Sequence, residues 1–243
     1  MERGRRSCRA VLLAVAEMDV KGVSTRDAAK IMAEFGLEGL SSTQVSRAAA
    51  LLDDELQAWR ERPLGAYPYL ILDARYEKVR EGGVVRDAAV LAAIGIDPDG
   101  RRRLLGVSCA PSEAEVHRRD FLDRLVARGL RGVVYVVSDD HAGLRAARRA
   151  VLPGATWQRC QFHLAQNAIH HAPTLAVRKR IGAELRRIWN AATLDDAEAE
   201  LRRLVASYAA TAPDLAAWLE ANVPDGLAAF TLPEGHRKRL RTA

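Results

Sequence analysis

Gly132-Val133-Val134-Tyr135-Val136-Val137-Ser138-Asp139 sets five apolar residues in succession ahead of a Ser-Asp pair. A strand with one wet face alternates, so a short run without alternation reads as a strand buried on both faces, as in a parallel sheet. Three further strands are expected upstream: Tyr67 to Leu72, closed by Asp73; Ala88 to Ile96, closed by the turn Asp97-Pro98-Asp99-Gly100; and Arg103 to Cys109. Their short separation predicts an antiparallel meander. Ser112-x-x-Glu115 then opens a helix with Phe121, Leu122, Leu125 and Val126 facing inward, stopped by Gly129. A second helix, His141 to Val151, leads to a short strand at Ala155 to Cys160. The order strand, strand, strand, helix, strand, helix, strand is that of an RNase H-like sheet, a mixed α/β fold.

Both sides of this region read as helical. Ser24-x-x-Asp27 resembles a capping box, with Ala28, Ile31, Met32 and Phe35 at helical spacing behind it. Ser41 with Gln44 marks a second start, and Thr43, Gln44 and Arg47 lie outward near its N-terminus. Two short helices of this kind form either a helix-turn-helix, whose second helix reads base edges, or a plain helical hairpin. From about Leu164 onward the pattern is helical, at Val177 to Trp189, Leu194 to Tyr208 and Leu215 to Ala221. The expected organisation is a DNA-binding helical region at 1–62, a catalytic core at 63–163 and a helical insertion at 164–243.

Composition limits the classes of function. The 243 residues are 49% hydrophobic and 28% charged, a globular balance. Lys and Arg number 37 against 31 Asp and Glu, a net charge of +6, which favours a polyanionic partner, nucleic acid before membrane. Three scattered cysteines, Cys8, Cys109 and Cys160, argue against a disulfide scaffold and fit a reducing cytoplasm. No apolar run reaches about 18 residues, and no cleavable leader is expected.

Asp73 and Asp139, 66 residues apart, each close an apolar run. In the expected sheet their strands are parallel neighbours, which brings both carboxylates to one end. Two carboxylates at close range call for a cation, and oxygen donors favour Mg²⁺ or Mn²⁺. Such ions activate a nucleophile and stabilise a leaving oxygen in phosphodiester chemistry. Asp140 is the adjacent alternative to Asp139; taken singly, each Asp also fits a turn. Cys160-Gln161-Phe162-His163 is a Cys-x₂-His unit with His170 and His171 nearby. It reads as part of a zinc site or as a buried Cys beside a hydrogen-bonded His.

Several ordered motifs then resemble one family. They are Leu72-Asp73-Ala74-Arg75-Tyr76-Glu77-Lys78-Val79-Arg80; Leu105-Gly106-Val107; Phe121-Leu122-x-x-Leu125-x-x-Arg128-Gly129-Leu130; Val137-Ser138-Asp139-x-His141-x-Gly143-Leu144; and Gln158-Arg159-Cys160-Gln161-Phe162-His163-x-x-x-Asn167. Lys21-Gly22-x-Ser24-Thr25-Arg26-Asp27, Ser46-Arg47 and Trp59-x-x-Arg62-Pro63-Leu64 fit the same pattern. Together they resemble the Mutator-type transposases of bacterial insertion sequences. The resemblance implies a DDE transposase: an RNase H-like core, two Mg²⁺ ions, and cleavage and joining of double-stranded DNA by a homo-oligomer. It implies Asp73 and Asp139 as the first two acids, and Cys160 with His163 as a signature of unknown role. It also implies a third acid, a Glu following Leu-Arg-Thr; here Leu240-Arg241-Thr242 is followed by Ala243. Arg118 stands where the family usually has Trp, and Asp140 where it usually has Gly.

The expectation is therefore a middle piece of a transposase, lacking N-terminal residues and the third carboxylate and so inactive. The sheet face behind Asp73 would be left open for want of a final helix. Two alternatives stand: a non-catalytic DNA-binding fragment that competes for element ends, and an RNase H-like nuclease whose third acid is Glu184, Glu198, Glu200 or Glu220.

Overall fold

The computed structural model describes residues 14, 18, 23–34, 53–81, 83–110 and 114–243. The chain divides into two compact units, Met1–Arg62 and Pro63–Ala243. In the first, helix α1 (Thr25–Glu34) begins at the expected capping box. Ser24 Oγ donates to the Asp27 carboxylate at 2.7 Å, and the Asp27 N–H donates back to Ser24 Oγ at 3.2 Å. Ala28 and Met32 are buried one turn apart, against Ala14, Met18 and Val23. Residues 53–61 form helix α2. The helix expected at Ser41, with Thr43, Gln44 and Arg47, lies outside the described residues.

The second unit is built on a five-stranded mixed sheet. Its strands are β1 (Tyr69–Glu81), β2 (Val84–Ile96), β3 (Arg102–Ala110), β4 (Tyr135–Ser138) and β5 (Thr156–Arg159), in the order β3-β2-β1-β4-β5. β1 to β3 form the antiparallel meander, and β4 and β5 join β1 in parallel. Helix α3 (Glu115–Ala127) joins β3 to β4, and α4 (Ala142–Val151) joins β4 to β5. The run around Tyr135 is buried along its full strand length, as its lack of alternation requires.

Four helices follow: α5 (Gln161–His171), α6 (Leu175–Trp189), α7 (Leu194–Tyr208) and α8 (Pro213–Asn222). Two single turns, Val223–Gly226 and Ala228–Thr231, and the short α9 (Glu234–Arg237) complete the described elements. Thr174 and Thr193 cap α6 and α7, accepting from the N–H groups of Val177 and Asp196. Among the described residues no helix is long and apolar enough to cross a membrane.

Alternation along β1 separates two cores. Leu70 and Leu72 face α3 and α4, with Leu91, Leu105 and Val136 beside them and Phe121, Leu122, Leu125 and Leu144 opposite. Ile71 faces the other way, with Tyr135, Val137 and Cys160, under Leu232 and Leu240. The helices after β5 form a third cluster around Leu164, Ile181, Leu185, Leu215 and Leu219. Buried Gln158 ties that cluster to the sheet: its Oε1 accepts from Tyr135 O–H at 3.2 Å and from the Ala229 N–H at 2.6 Å.

Three expectations are corrected. Asp73 does not end its strand: β1 runs on to Glu81 because it folds back on β2 as a long hairpin. Val126 is 42% exposed; the buried stripe of α3 is Arg118, Phe121, Leu122 and Leu125, the spacing of a single helical face. The face behind Asp73 is closed over β1 and β4, where Leu232 and Leu240 cover Ile71, Tyr135 and Val137. It stays open over β3, where Leu104 and Val107 are 43% and 44% exposed. Gly129 does stop α3. At φ +94° it lets its own N–H reach Val126 O and the Leu130 N–H reach Leu125 O, closing the helix with paired backbone bonds.

Candidate active site

The parallel ladder between β1 and β4 pairs Tyr69 with Tyr135, Leu70 with Val136 and Ile71 with Val137. Two residues beyond the last pair stand Asp73 and Asp139. The two-residue period of β1 puts Asp73 on the face of Ile71, and Asp139 follows the last residue of β4 directly. Neighbouring strands lie about 4.8 Å apart, so the two half-buried carboxylates share one edge of the sheet. β4 ends at Ser138, which leaves Asp139 at the mouth of the loop into α4. Ser138 fixes that exit: its Oγ donates to Asp139 O at 2.8 Å and accepts from Trp157 Nε1–H at 3.0 Å.

Cys160 and His163 meet the acids from the next strand. Cys160 follows β5, is fully buried, and occupies the N-cap of α5; its Sγ accepts from the Ala243 N–H at 3.3 Å. A hydrogen bond with Cys160 raises the His163 imidazole pKa above its ordinary value; burial opposes this, and the Asp139 and Asp73 carboxylates add to the rise. Burial, the largest single influence, pushes the Cys160 thiol up, but hydrogen bonds from the His163 side chain and backbone and from the Ala243 N–H, with the charge of His163, together outweigh it, and the thiol is lowered. The imidazole therefore lies within the field of both acids, while its buried Nδ1 has no hydrogen-bond partner. Among the described residues no three His, Cys, Asp or Glu side chains are grouped to hold a metal ion, zinc included.

Asp140 is drawn away from this edge. It pairs with Arg145 at 2.7 Å and with buried Arg159 at 3.1 Å. Arg159 also donates to Asn222 Oδ1 at 2.8 Å, and Asp225, in the Val223–Gly226 turn three residues past the end of α8, lies in the field of Asp140, Arg145 and Arg159. This network joins β5 and α4 to the helices that follow. Sequence reading missed it because its members are scattered from 140 to 225 and no spacing links Arg159, although it stands in the Gln158-to-Asn167 motif, to Asp140, Asn222 or Asp225.

The alternative third acids are occupied elsewhere. Glu184 accepts from Tyr208 O–H at 2.7 Å and faces Arg180. Glu198 pairs with Arg202, and Glu200 with Arg203. Glu220 lies with Glu198 along a groove between α7 and the turn after α8. None forms a group with Asp73 and Asp139.

Comparison with known proteins agrees with these motifs. Residues 1–243 match the Mutator family of transposases. The transposase of insertion sequence IS406 from Burkholderia multivorans is 53% identical over 244 residues, covering 100% of this chain and 63% of that protein. That of ISRM5 from Rhizobium meliloti is 45% identical over 246 residues, covering 99% of this chain and 61% of that one. That of IS1081 from Mycobacterium tuberculosis is 43% identical over 175 residues, covering 71% of this chain and 42% of the relative. The chain thus spans less than two thirds of the length of these relatives. Among solved structures, the HTLV-2 integrase catalytic core in complex with magnesium overlaps 74% of this chain and 99% of its own, at 10% identity and a TM-score of 0.26, too loose a superposition to assign anything. The family match over the whole chain and the identity with these insertion-sequence transposases place the chain in the Mutator family of transposases.

Proposed function

We propose that this chain provides the paired-carboxylate part of a divalent-cation site for cleaving and joining double-stranded DNA at the ends of an insertion sequence. The observation that carries the reading is the β1–β4 register, whose last pair, Ile71 with Val137, lies two residues before both Asp73 and Asp139. The meander followed by two parallel strands supports an RNase H-like core, with the helices from α5 onward as its insertion. Thr43, Gln44 and Arg47 are proposed to read DNA from a helix-turn-helix.

The donor set fits Mg²⁺ or Mn²⁺, since two carboxylates offer hard oxygen ligands. Asp73 and Asp139 would hold the ion, whose charge activates a nucleophile and stabilises a leaving oxygen. The remaining work falls to the protein. The β1–β4 ladder fixes the spacing of the carboxylates. Cys160 holds the His163 imidazole beside them, which makes the pair a positioning device in this reading. Arg145 and Arg159 engage Asp140, so that a third carboxylate does not crowd the same edge.

Calorimetric titration with Mn²⁺ tests the assignment. Binding should be lost in Asp73→Asn and in Asp139→Asn and retained in Asp140→Asn. Unchanged Mn²⁺ affinity in the first two variants would overturn it.

A further inference from the structure

β1 and β2 run on together after both neighbouring strands have stopped. β4 pairs with β1 only as far as Ile71, and β3 leaves β2 at Ala89, the partner of Tyr76. From Glu77 to Glu81, opposite Val84 to Ala88, the two strands are laddered only to each other among the described residues. Gly83, at φ 81°, turns the tip. At about 3.3 Å per residue, Glu81 stands about 26 Å beyond Asp73.

Stability does not account for this ribbon, which buries little and leaves two backbone edges open. Its sequence carries four cations against three carboxylates between residues 75 and 87. Tyr76, Lys78 and Arg80 share one face by the two-residue period, and Arg75 and Arg86 share the other. Lys78 is paired with Asp87 at 2.9 Å, and Arg75 with Glu77. Arg80 and Arg86 are exposed, on opposite faces, and have no carboxylate partner among the described residues. Tyr76 is 55% exposed beside Lys78.

We propose that this ribbon is a second duplex-DNA contact, entering the major groove next to the phosphodiester at Asp73 and Asp139, with Arg80 and Arg86 reaching phosphates on the two groove walls. The major groove, about 12 Å wide, admits a two-stranded ribbon. Free cations on both faces suit a slot with phosphates on either side, whereas a ribbon laid flat on a surface needs them on one face only. The span from Asp73 to the tip corresponds to about eight base pairs at about 3.4 Å each. The inference rests on the DNA-binding reading above and adds a surface to it. It excludes the simpler role in which these charges only keep the open edges from pairing with another strand.

Fluorescence anisotropy with a mixed-sequence duplex of about 30 base pairs tests it, on the full chain across a salt series. Each phosphate contact contributes about 0.9 to the slope of log affinity against log salt, so Arg80→Ala/Arg86→Ala should flatten the slope by about 1.8. Arg80→Gln/Arg86→Gln should behave the same way, with wild-type circular dichroism. Arg119→Ala/Lys179→Ala, which removes two exposed and unpaired cations from α3 and α6, should leave the slope unchanged. A chain that binds no duplex at any salt refutes the function proposed above and the ribbon with it. A wild-type chain that binds while the ribbon variants keep its slope refutes the ribbon alone. So does an equal loss in the Arg119/Lys179 control, or a shift in sedimentation showing that the ribbon joins two copies.

Discussion

Asp140→Ala should destabilise the second unit by about 2–3 kcal/mol, a cost that follows from what it leaves behind. The Arg159 side chain is only 5% exposed, and Asp140 meets it at 3.1 Å. Removing one partner of a fully buried ion pair costs about 3–5 kcal/mol, because the other charge remains out of water. Here the loss is smaller for two reasons. Asp140 is itself 18% exposed and Arg145 34%, so water reaches one side of the site. Arg159 also keeps its hydrogen bond to Asn222 at 2.8 Å. At about 2–4 °C per kcal/mol for a unit of this size, the melting temperature should fall by about 5–10 °C. Urea unfolding followed by circular dichroism measures the change. Raising salt to about 0.5 M should recover little of it, since screening acts weakly on a buried cation. Arg159→Met in the Asp140→Ala background should cost less than the two single changes added together, by about 1–2 kcal/mol. An Asp140→Ala protein within about 0.5 kcal/mol of wild type would refute the reasoning, because a change that small is typical of a free surface carboxylate.

Three other outcomes are expected. The Asp225 carboxyl is held above its ordinary pKa of 3.8, first by burial and then by Asp140, against the pull of Arg145, Arg159 and Arg149. Its ionisation therefore costs stability at neutral pH, and that cost fades as pH falls through the raised pKa toward 3.8. Asp225→Asn should accordingly be more stable than wild type in urea at neutral pH, and the two should converge in acid. Gly129→Ala should lose about 1–2 kcal/mol in the same assay, since φ is +94° and an added Cβ would stand 3.3 Å from Leu64 O; a neutral result would mean that the turn after α3 relaxes freely. Iodoacetamide on the native protein, read by mass spectrometry, should modify exposed Cys109 and spare Cys160, whose burial overrides its lowered pKa.

The strand order was legible because it rests on contrasts that a sequence carries openly. The apolar run before Ser138 marked a strand covered on both sides, although only Tyr135–Ser138 forms it and Val134, at 55%, is exposed ahead of it; Asp97-Pro98-Asp99-Gly100 is a turn in any context. The end of β1 was not legible. Beyond Asp73, the stretch Arg75 to Arg80 is rich in charge and has no buried residue, and what makes it a strand is its ladder with β2 rather than any buried face. The burial of Arg118 was not legible for a different reason: nothing in its charge points inward, yet this side chain is 2% exposed within the apolar stripe of α3. At the candidate site, the positions of Asp73 and Asp139 could be read from the ends of their apolar runs. The separation of Asp139 from Asp140 could not, because it depends on Arg145 and on an arginine buried in β5. The nearness of His163 to the acids likewise depends on β5 lying next to β4.

The central place of β1 in the sheet also governs when the site comes into being. Its partner β2 follows directly through a tight turn, so their hairpin is a local structure that forms in about 1–10 μs. Its other partner, β4, lies 66 residues further on at the Tyr69–Tyr135 pair, a non-local contact that carries a loop-closure cost. At about 5–20 residues per second, a ribosome takes about 3–13 s to cover that interval. The meander is complete only once β3 has been made to Ala110, so for the last 25 residues of that interval, about 1–5 s, the growing chain displays Asp73 on a finished meander with no second acid beside it. The cation site proposed here thus appears only when the parallel half of the sheet docks, and a nascent or half-folded chain lacks it.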